Sequence, residues 1–239
     1  LLGRRTGCGT TGEGDMLAAL GLRYGTEEAT SMSVSVHRAL ALAYYRGSVD
    51  MAAERGAFAV YDAEREKDNP FIRRLAEADP DLYEKMLRQG RRNIACLTIA
   101  PTGSTSILTR TTSGIEPVFL PVYTRRRKVN PSDENVRVDF VDEVGDSFEE
   151  YVVYHPRFID WMRATGREVR QNLTPGEIEA LVRESPYYRA TAADVDWLEK
   201  VRMQGAVQKW VDHSISVTIN LPADVTEQLV DRLYKEAWR

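Results

Sequence analysis

One stretch of chain constrains the fold more than any other. Residues 94–100, Ile94-Ala95-Cys96-Leu97-Thr98-Ile99-Ala100, form an almost continuous apolar run of strand length that passes directly into Pro101-Thr102-Gly103-Ser104-Thr105-Ser106. A strand apolar on both faces must be covered on both faces, which is the habit of sheets sandwiched between helices. The flanking sequence offers those helices. Met16, Leu17, Leu20 and Leu22 stripe a short one over 15–22, ending near Gly25, and Thr26, followed by Glu27 and Glu28, reads as the N-cap of a long one reaching about residue 55. Asn69-Pro70 breaks the chain, and a charged helical stretch over 71–88 is interrupted at Asp79-Pro80. A second strand is expected at 118–123 and Val129, broken at Pro121. Helices are expected over 157–164 and 174–184, and Thr191 reads as the cap of another over 192–211. The last one feeds a strand at 214–221, and a final helix starts near Thr226. This alternation, without an internal repeat, predicts an α/β architecture, with a polar, charged inserted subregion at about 130–190.

Composition removes several classes of function. With 43% hydrophobic and 28% charged residues among 239, the chain can bury a core and is not a disordered tail. A net charge of -4 supplies no basic field for nucleic acid, and no apolar run approaches the roughly 18 residues that span a bilayer. Neither nucleic acid nor membrane is expected as a partner. Cys8 and Cys96 stand apart from each other and from any Cys/His cluster, so neither a disulfide framework nor a metal site is expected, and a reducing, cytoplasmic compartment fits. Leu1 at the start and Trp238-Arg239 within a helical pattern at the end lead to the expectation of a fragment of something longer.

The richest chemistry follows the apolar run. Pro101 sets a turn, Gly103 allows a group to approach the backbone closely, and the first amides of an ensuing helix would be left unpaired, with the hydroxyls of Thr102, Ser104 and Thr105 beside them. That is the composition of an anion site, although the same residues also make an ordinary helix cap. Other features read as structural. The run Arg125-Arg126-Arg127-Lys128 fits a solvated strand edge; Asp212-His213 has no third partner for acid–base work; His37 and His155 stand alone; and Glu116, odd in an apolar segment, is expected to pair with an arginine beneath the loop.

The motifs taken together resemble a known family. The segments Arg92-Asn93-Ile94 through Ser106, Ser113-Gly114-Ile115-Glu116-Pro117-Val118-Phe119 and Tyr123-Thr124-Arg125-Arg126 are similar to the large catalytic subunit of ribonucleotide reductases, most of all the vitamin-B12-dependent class. Upstream, Gly3-Arg4-Arg5-Thr6-Gly7 and Gly14-Asp15-Met16-Leu17 match in order; downstream, so does 208–216, with Thr218, Asn220 and Pro222. The resemblance implies that residues 1–239 are the C-terminal half of a ten-stranded α/β barrel carrying a charged helical insertion. It implies a loop of Pro101, Thr102, Gly103, Ser104 and Thr105 that binds substrate phosphates. It also implies a complete subunit that uses adenosylcobalamin, a ribonucleotide substrate and a thioredoxin-type reductant, with homodimerisation. The family's thiyl-forming cysteine lies in an Asn-x-Cys-x-Glu motif absent here: Asn93 stands three residues before Cys96, and Thr98 stands where Glu is needed. No catalytic residue and no metal ligand is therefore expected in this chain, which alone would be inactive, and Cys96 is expected to be a core thiol. Two alternatives stay open, a non-catalytic phosphate-binding α/β fragment and the large subunit of a class I, metal-radical reductase.

Overall fold

The computed structural model describes residues 2–130 and 136–238; the expectations for the chain ends and for part of the polar stretch at 130–145 fall outside the described residues at 1, 131–135 and 239. Local signals build the N-terminal helices. After α1 (Glu13–Ala19), α2 (Glu27–Arg55) begins where the Thr26 hydroxyl accepts from the Ala29 amide and ends at Gly56. A single turn, α3 (Ala63–Glu66), precedes α4 (Pro70–Ala78) and α5 (Pro80–Gln89), both opened by a proline and capped by Asn69 and Asp79. Proline at the first helical position gives up only an amide that would have been unpaired there.

Residues 94–100 run extended at the centre of three parallel segments rather than as a regular strand. On one side the amides of Thr6 and Cys8 donate to the carbonyls of Ala95 (3.0 Å) and Cys96 (2.8 Å); on the other, the amides of His213 and Ser216 donate to Leu97 (3.0 Å) and Ile99 (2.8 Å). True pairing is confined to Cys8–Leu97 and Ile99–Ile215, so both expected strands, 94–100 and 214–221, shrink to isolated bridges. The physical reason is a side chain. Asp212 accepts the amides of Cys96 (2.8 Å) and Leu97 (2.7 Å), where a regular ladder would use a neighbouring backbone carbonyl, and also the Tyr45 hydroxyl (2.6 Å). After the loop comes α6 (Gly103–Thr109).

The next region departs from the helical expectation. β1 (Val122–Lys128), β2 (Phe140–Val141) and β3 (Ser147–Tyr154) form an antiparallel sheet in the order β1-β3-β2, with Val122 opposite Tyr154 and Lys128 opposite Phe148. Strand geometry starts only after Pro121, because Pro117 and Pro121 lack amides and the Val118 carbonyl is taken by the Ala192 amide (2.8 Å). The basic run of β1 is matched across the sheet: Arg126 with Glu150, Arg127 with Glu149, and Lys128 with Asp146. α7 (Pro156–Ala164) and α8 (Pro175–Arg183) follow, the latter opened by a reciprocal capping box between Thr174 and Glu177. α9 (Trp197–Gln208) starts at Asp196 instead of Thr191, whose hydroxyl bonds Asp194 (2.7 Å), and α10 (Glu227–Trp238) closes the described chain.

The architecture is thus mixed helix and sheet around two apolar clusters. The larger unites Leu17, Tyr45, Val49, Leu75, Met86, Ile99, Ile115, Met203 and Val207 around the extended segments. The smaller joins Val118, Val122, Val152, Tyr154, Phe158, Met162 and Tyr187, and meets the first through Ala18 of α1.

Candidate nucleotide-phosphate site

The loop after residue 100 is held in a costly conformation. Thr102 sits in the left-handed region (φ 53°, ψ 27°), where a β-branched residue pays roughly 1–2 kcal/mol. Two side-chain contacts hold it there: its hydroxyl accepts the Gly114 amide (2.7 Å) and pairs with the Thr11 hydroxyl (3.0 Å), which in turn donates to the Thr112 carbonyl (3.1 Å). Gly114, also at positive φ, must be glycine on space as well, since a Cβ there would lie 2.8 Å from the Ala100 carbonyl oxygen. The loop therefore leans on residues 11–12 and 111–114, not on its own cap.

This bracing leaves donors free. The Ser106 amide returns to the Thr102 carbonyl (2.7 Å), whereas the amides of Gly103, Ser104 and Thr105 find no acceptor among the described residues. A Cβ built on Gly103 meets nothing within 4 Å, so this position faces open space. Of the five residues singled out from the sequence, Pro101 and Gly103 line a depression of about 190 Å3 together with Ser113, Glu116, Ser216 and Thr218. Ser104 and Thr105 are exposed at the same helix start, and Thr102 is half-buried with its hydroxyl turned into the fold. The Ser106 hydroxyl, in turn, is spent on the Gly103 carbonyl (2.8 Å).

Beneath the loop, Glu116 pairs with Lys200, a lysine where the sequence led us to expect an arginine. One carboxylate oxygen takes the Lys200 ammonium and the other the Thr218 amide (2.9 Å), while Lys200, almost fully buried, also donates to the Thr218 carbonyl. The acid thus ties the loop to α9 and to the 213–218 segment with every charge compensated. Two histidines that looked isolated are not. His37 bonds Glu13 (2.9 Å) in the interior, and His155 bonds Asp15 through Nε2 (2.7 Å). Asp15 also accepts the Tyr187 hydroxyl (2.8 Å) and the Thr112 amide (2.7 Å), so one carboxylate joins α1, the 111–114 loop and the entry to α7. Asp15 lay inside a family-like motif, but nothing in the sequence links it to a histidine 140 positions away. His213, by contrast, makes no acid–base pair with Asp212, which is committed to Tyr45 and the two amides.

The two cysteines form no disulfide. Cys96 is fully buried, and its thiol is pushed up to about 12, first by burial and then by the nearby Asp212 carboxylate; Cys8 is half-buried and also free. Among the described residues, no cluster of three or more His, Cys, Asp or Glu is arranged to hold a metal, and no helix is long and apolar enough to cross a membrane.

The domain is mixed helix and sheet, with a braced, amide-rich loop at the end of a parallel extended layer. The chain belongs to the ribonucleotide reductase barrel-domain family: the model described as "Ribonucleotide reductase, barrel domain" matches residues 2–239. It is 30% identical over 242 residues to the vitamin B12-dependent ribonucleoside-diphosphate reductase of Mycobacterium tuberculosis (strain CDC 1551 / Oshkosh), covering 99% of this chain and 30% of that protein. The protein of the same name from Thermoplasma acidophilum is 30% identical over 235 residues, covering 98% and 27%. In fold, the chain is similar to the Actinobacillus ureae class Id ribonucleotide reductase alpha subunit, with a TM-score of 0.63 at 16% identity over 98% of this chain and 37% of that one. The chain spans about 30% of the length of the curated relatives it matches.

Proposed function

We propose that this chain is the C-terminal half of the ten-stranded catalytic barrel of a ribonucleoside-diphosphate reductase large subunit, with residues 130–190 as an insertion, and that Pro101–Thr105 receives the substrate's phosphates. The observation that carries this reading is the loop itself: three successive amides without acceptors, at a position where even a Cβ would meet nothing. Phosphate oxygens are met by such amides and by the positive end of a helix. The complete subunit replaces the ribose 2′-hydroxyl by hydrogen: two electrons and two protons come from a thioredoxin-type dithiol, which leaves as a disulfide, and the oxygen departs as water. The names of the relatives support a vitamin B12-dependent enzyme, and a cytoplasmic location and homodimerisation of the complete subunit belong to the same reading.

Adenosylcobalamin would supply the radical in the complete subunit. The described residues do not make a cradle for it. The cations of 126–128 are spent on Glu150, Glu149 and Asp146. The role of this chain is to seat the nucleotide.

The test is Gly103→Val in the complete subunit. Nucleotide affinity is expected to fall at least tenfold, since a charge-assisted hydrogen bond is worth about 1.5–3 kcal/mol and a side chain there displaces the phosphate from several. Thermal unfolding should hardly change, because a Cβ meets no neighbour. Unchanged affinity would reduce the loop to a helix cap.

A further inference from the structure

The loop depression does not stand alone. A second one of about 330 Å3 adjoins it, sharing Ser113, Glu116 and Thr218 as a common wall. His155 and Asn220 also line it, with Phe119, which is 67% exposed, among its apolar residues. Polar groups converging beside an apolar wall, in a volume of this order, are the ordinary make-up of a small-molecule site.

Most polar atoms in this wall are already committed. Glu116 spends both oxygens on Lys200 and Thr218, and the Thr112 hydroxyl meets the Asp15 amide (3.4 Å). His155 is different. An ionised carboxylate only accepts, so Nε2 is the donor to Asp15, and Nδ1 makes no hydrogen bond to any described residue. The ring is fixed on a second side by Tyr187, whose plane meets it edge-on at 6.0 Å and 77°. Two residues further on, Arg157 donates to the carbonyls of Arg110 (3.0 Å) and Thr109 (3.1 Å), so the entry to α7 is tied to the end of the helix that starts at Gly103. The imidazole is thus held by Asp15, Tyr187 and its backbone neighbours, with one nitrogen left unused. A group immobilised in advance loses little entropy when it binds.

We infer that the two depressions form one nucleotide site, with the phosphates at residues 101–105 and the nucleoside against Phe119, where His155 Nδ1, oriented by Asp15, makes a direct hydrogen bond to the nucleoside's polar edge. This rests on the phosphate reading above and adds to it a contact made by a segment distant in sequence. Nδ1 accepts from a ribose hydroxyl or base N–H when the ring is neutral.

The experiment is calorimetric titration of the complete subunit with a nucleoside diphosphate and, separately, with inorganic pyrophosphate. His155→Ala is expected to weaken the nucleoside diphosphate roughly tenfold, the scale of one net hydrogen bond, and to leave pyrophosphate unchanged. His155→Gln separates contact from scaffold, because its amide nitrogen still reaches Asp15 while nothing replaces Nδ1. It should unfold at the temperature of the parent protein and still lose nucleoside diphosphate affinity. Restored affinity in His155→Gln, an equal loss for both ligands, or no loss in His155→Ala would each overturn the inference. Gly103→Val reports separately on the phosphate reading: full nucleotide affinity there, beside a loss in His155→Ala, would overturn the cradle and leave the His155 contact standing.

Discussion

Asp212 is the residue whose removal should be felt most widely, because it does with one side chain what a stretch of ladder would do. Its carboxylate accepts two backbone amides, Cys96 at 2.8 Å and Leu97 at 2.7 Å, of residues that are 0% and 4% exposed. In Asp212→Ala, neither amide has another acceptor in reach and little water can enter. Hydrogen bonds to a charged partner are worth about 1.5–3 kcal/mol each, so the two together hold the segment by about 3–6 kcal/mol. At 1.4 kcal/mol per decade, amide exchange at Cys96 and Leu97 should accelerate about 10²- to 10⁴-fold. Hydrogen exchange followed by mass spectrometry on the peptide covering 94–100 in the complete subunit measures this directly. Tyr45→Phe is the control: it removes only the third bond, that of the hydroxyl at 2.6 Å, and should accelerate the same amides about tenfold or less. Peptides of α7, which pack in the other apolar cluster, should keep their protection in both variants. Exchange in Asp212→Ala within threefold of the parent protein would refute the view that this carboxylate replaces the ladder.

Three further outcomes follow from the same geometry. The Cys96 thiol is pushed up to about 12 from an ordinary 9.0, so the unfolded chain ionises first; its stability contribution is whole below pH 9 and declines as pH rises toward 12. Cys96→Ala should lack that part of the decline in an alkaline series of melting temperatures, and parallel curves would count against it. Thr102→Ala should lower the melting temperature more than Thr102→Gly, since alanine keeps the left-handed strain while orphaning the Gly114 amide, and glycine removes the strain; the reverse order would contradict the bracing described above. Glu13→Leu strips the buried His37 of its partner and should cost about 1–3 kcal/mol, while Glu13→Leu with His37→Phe should recover most of it; a double-mutant cycle showing no coupling would contradict a paired interior.

Several parts of the molecule were legible in the sequence because their causes are local. Thr26 opens α2 as the N-cap its sequence suggests, a helix does begin at 174, and the breaks read at Asn69-Pro70 and Asp79-Pro80 are helix starts with proline at the first helical position, where a missing amide costs nothing. The loop at 101–105 was readable for the same reason: a turn, a glycine and a helix start are neighbours in sequence. Its family likeness, spread over three ordered motifs, pointed to the domain that the family match then established over residues 2–239.

What the sequence could not convey are relations between distant residues. The apolar pattern of 94–100 reads as a strand, yet whether it pairs as one depends on a carboxylate more than a hundred positions away; Asp212 takes its amides, and the ladder becomes two bridges. The alternation in β3 was masked by Glu149 and Glu150, whose charges make sense only opposite Arg127 and Arg126. Thr191 has the composition of a cap, but its hydroxyl prefers Asp194, so α9 waits for Asp196. His155 looked idle until folding set it against Asp15 and Tyr187. Short-range hydrogen bonding is written in neighbouring residues and survives in any context, whereas the partner of a buried charge is chosen by packing, and only the assembled tertiary structure brings it within 3 Å.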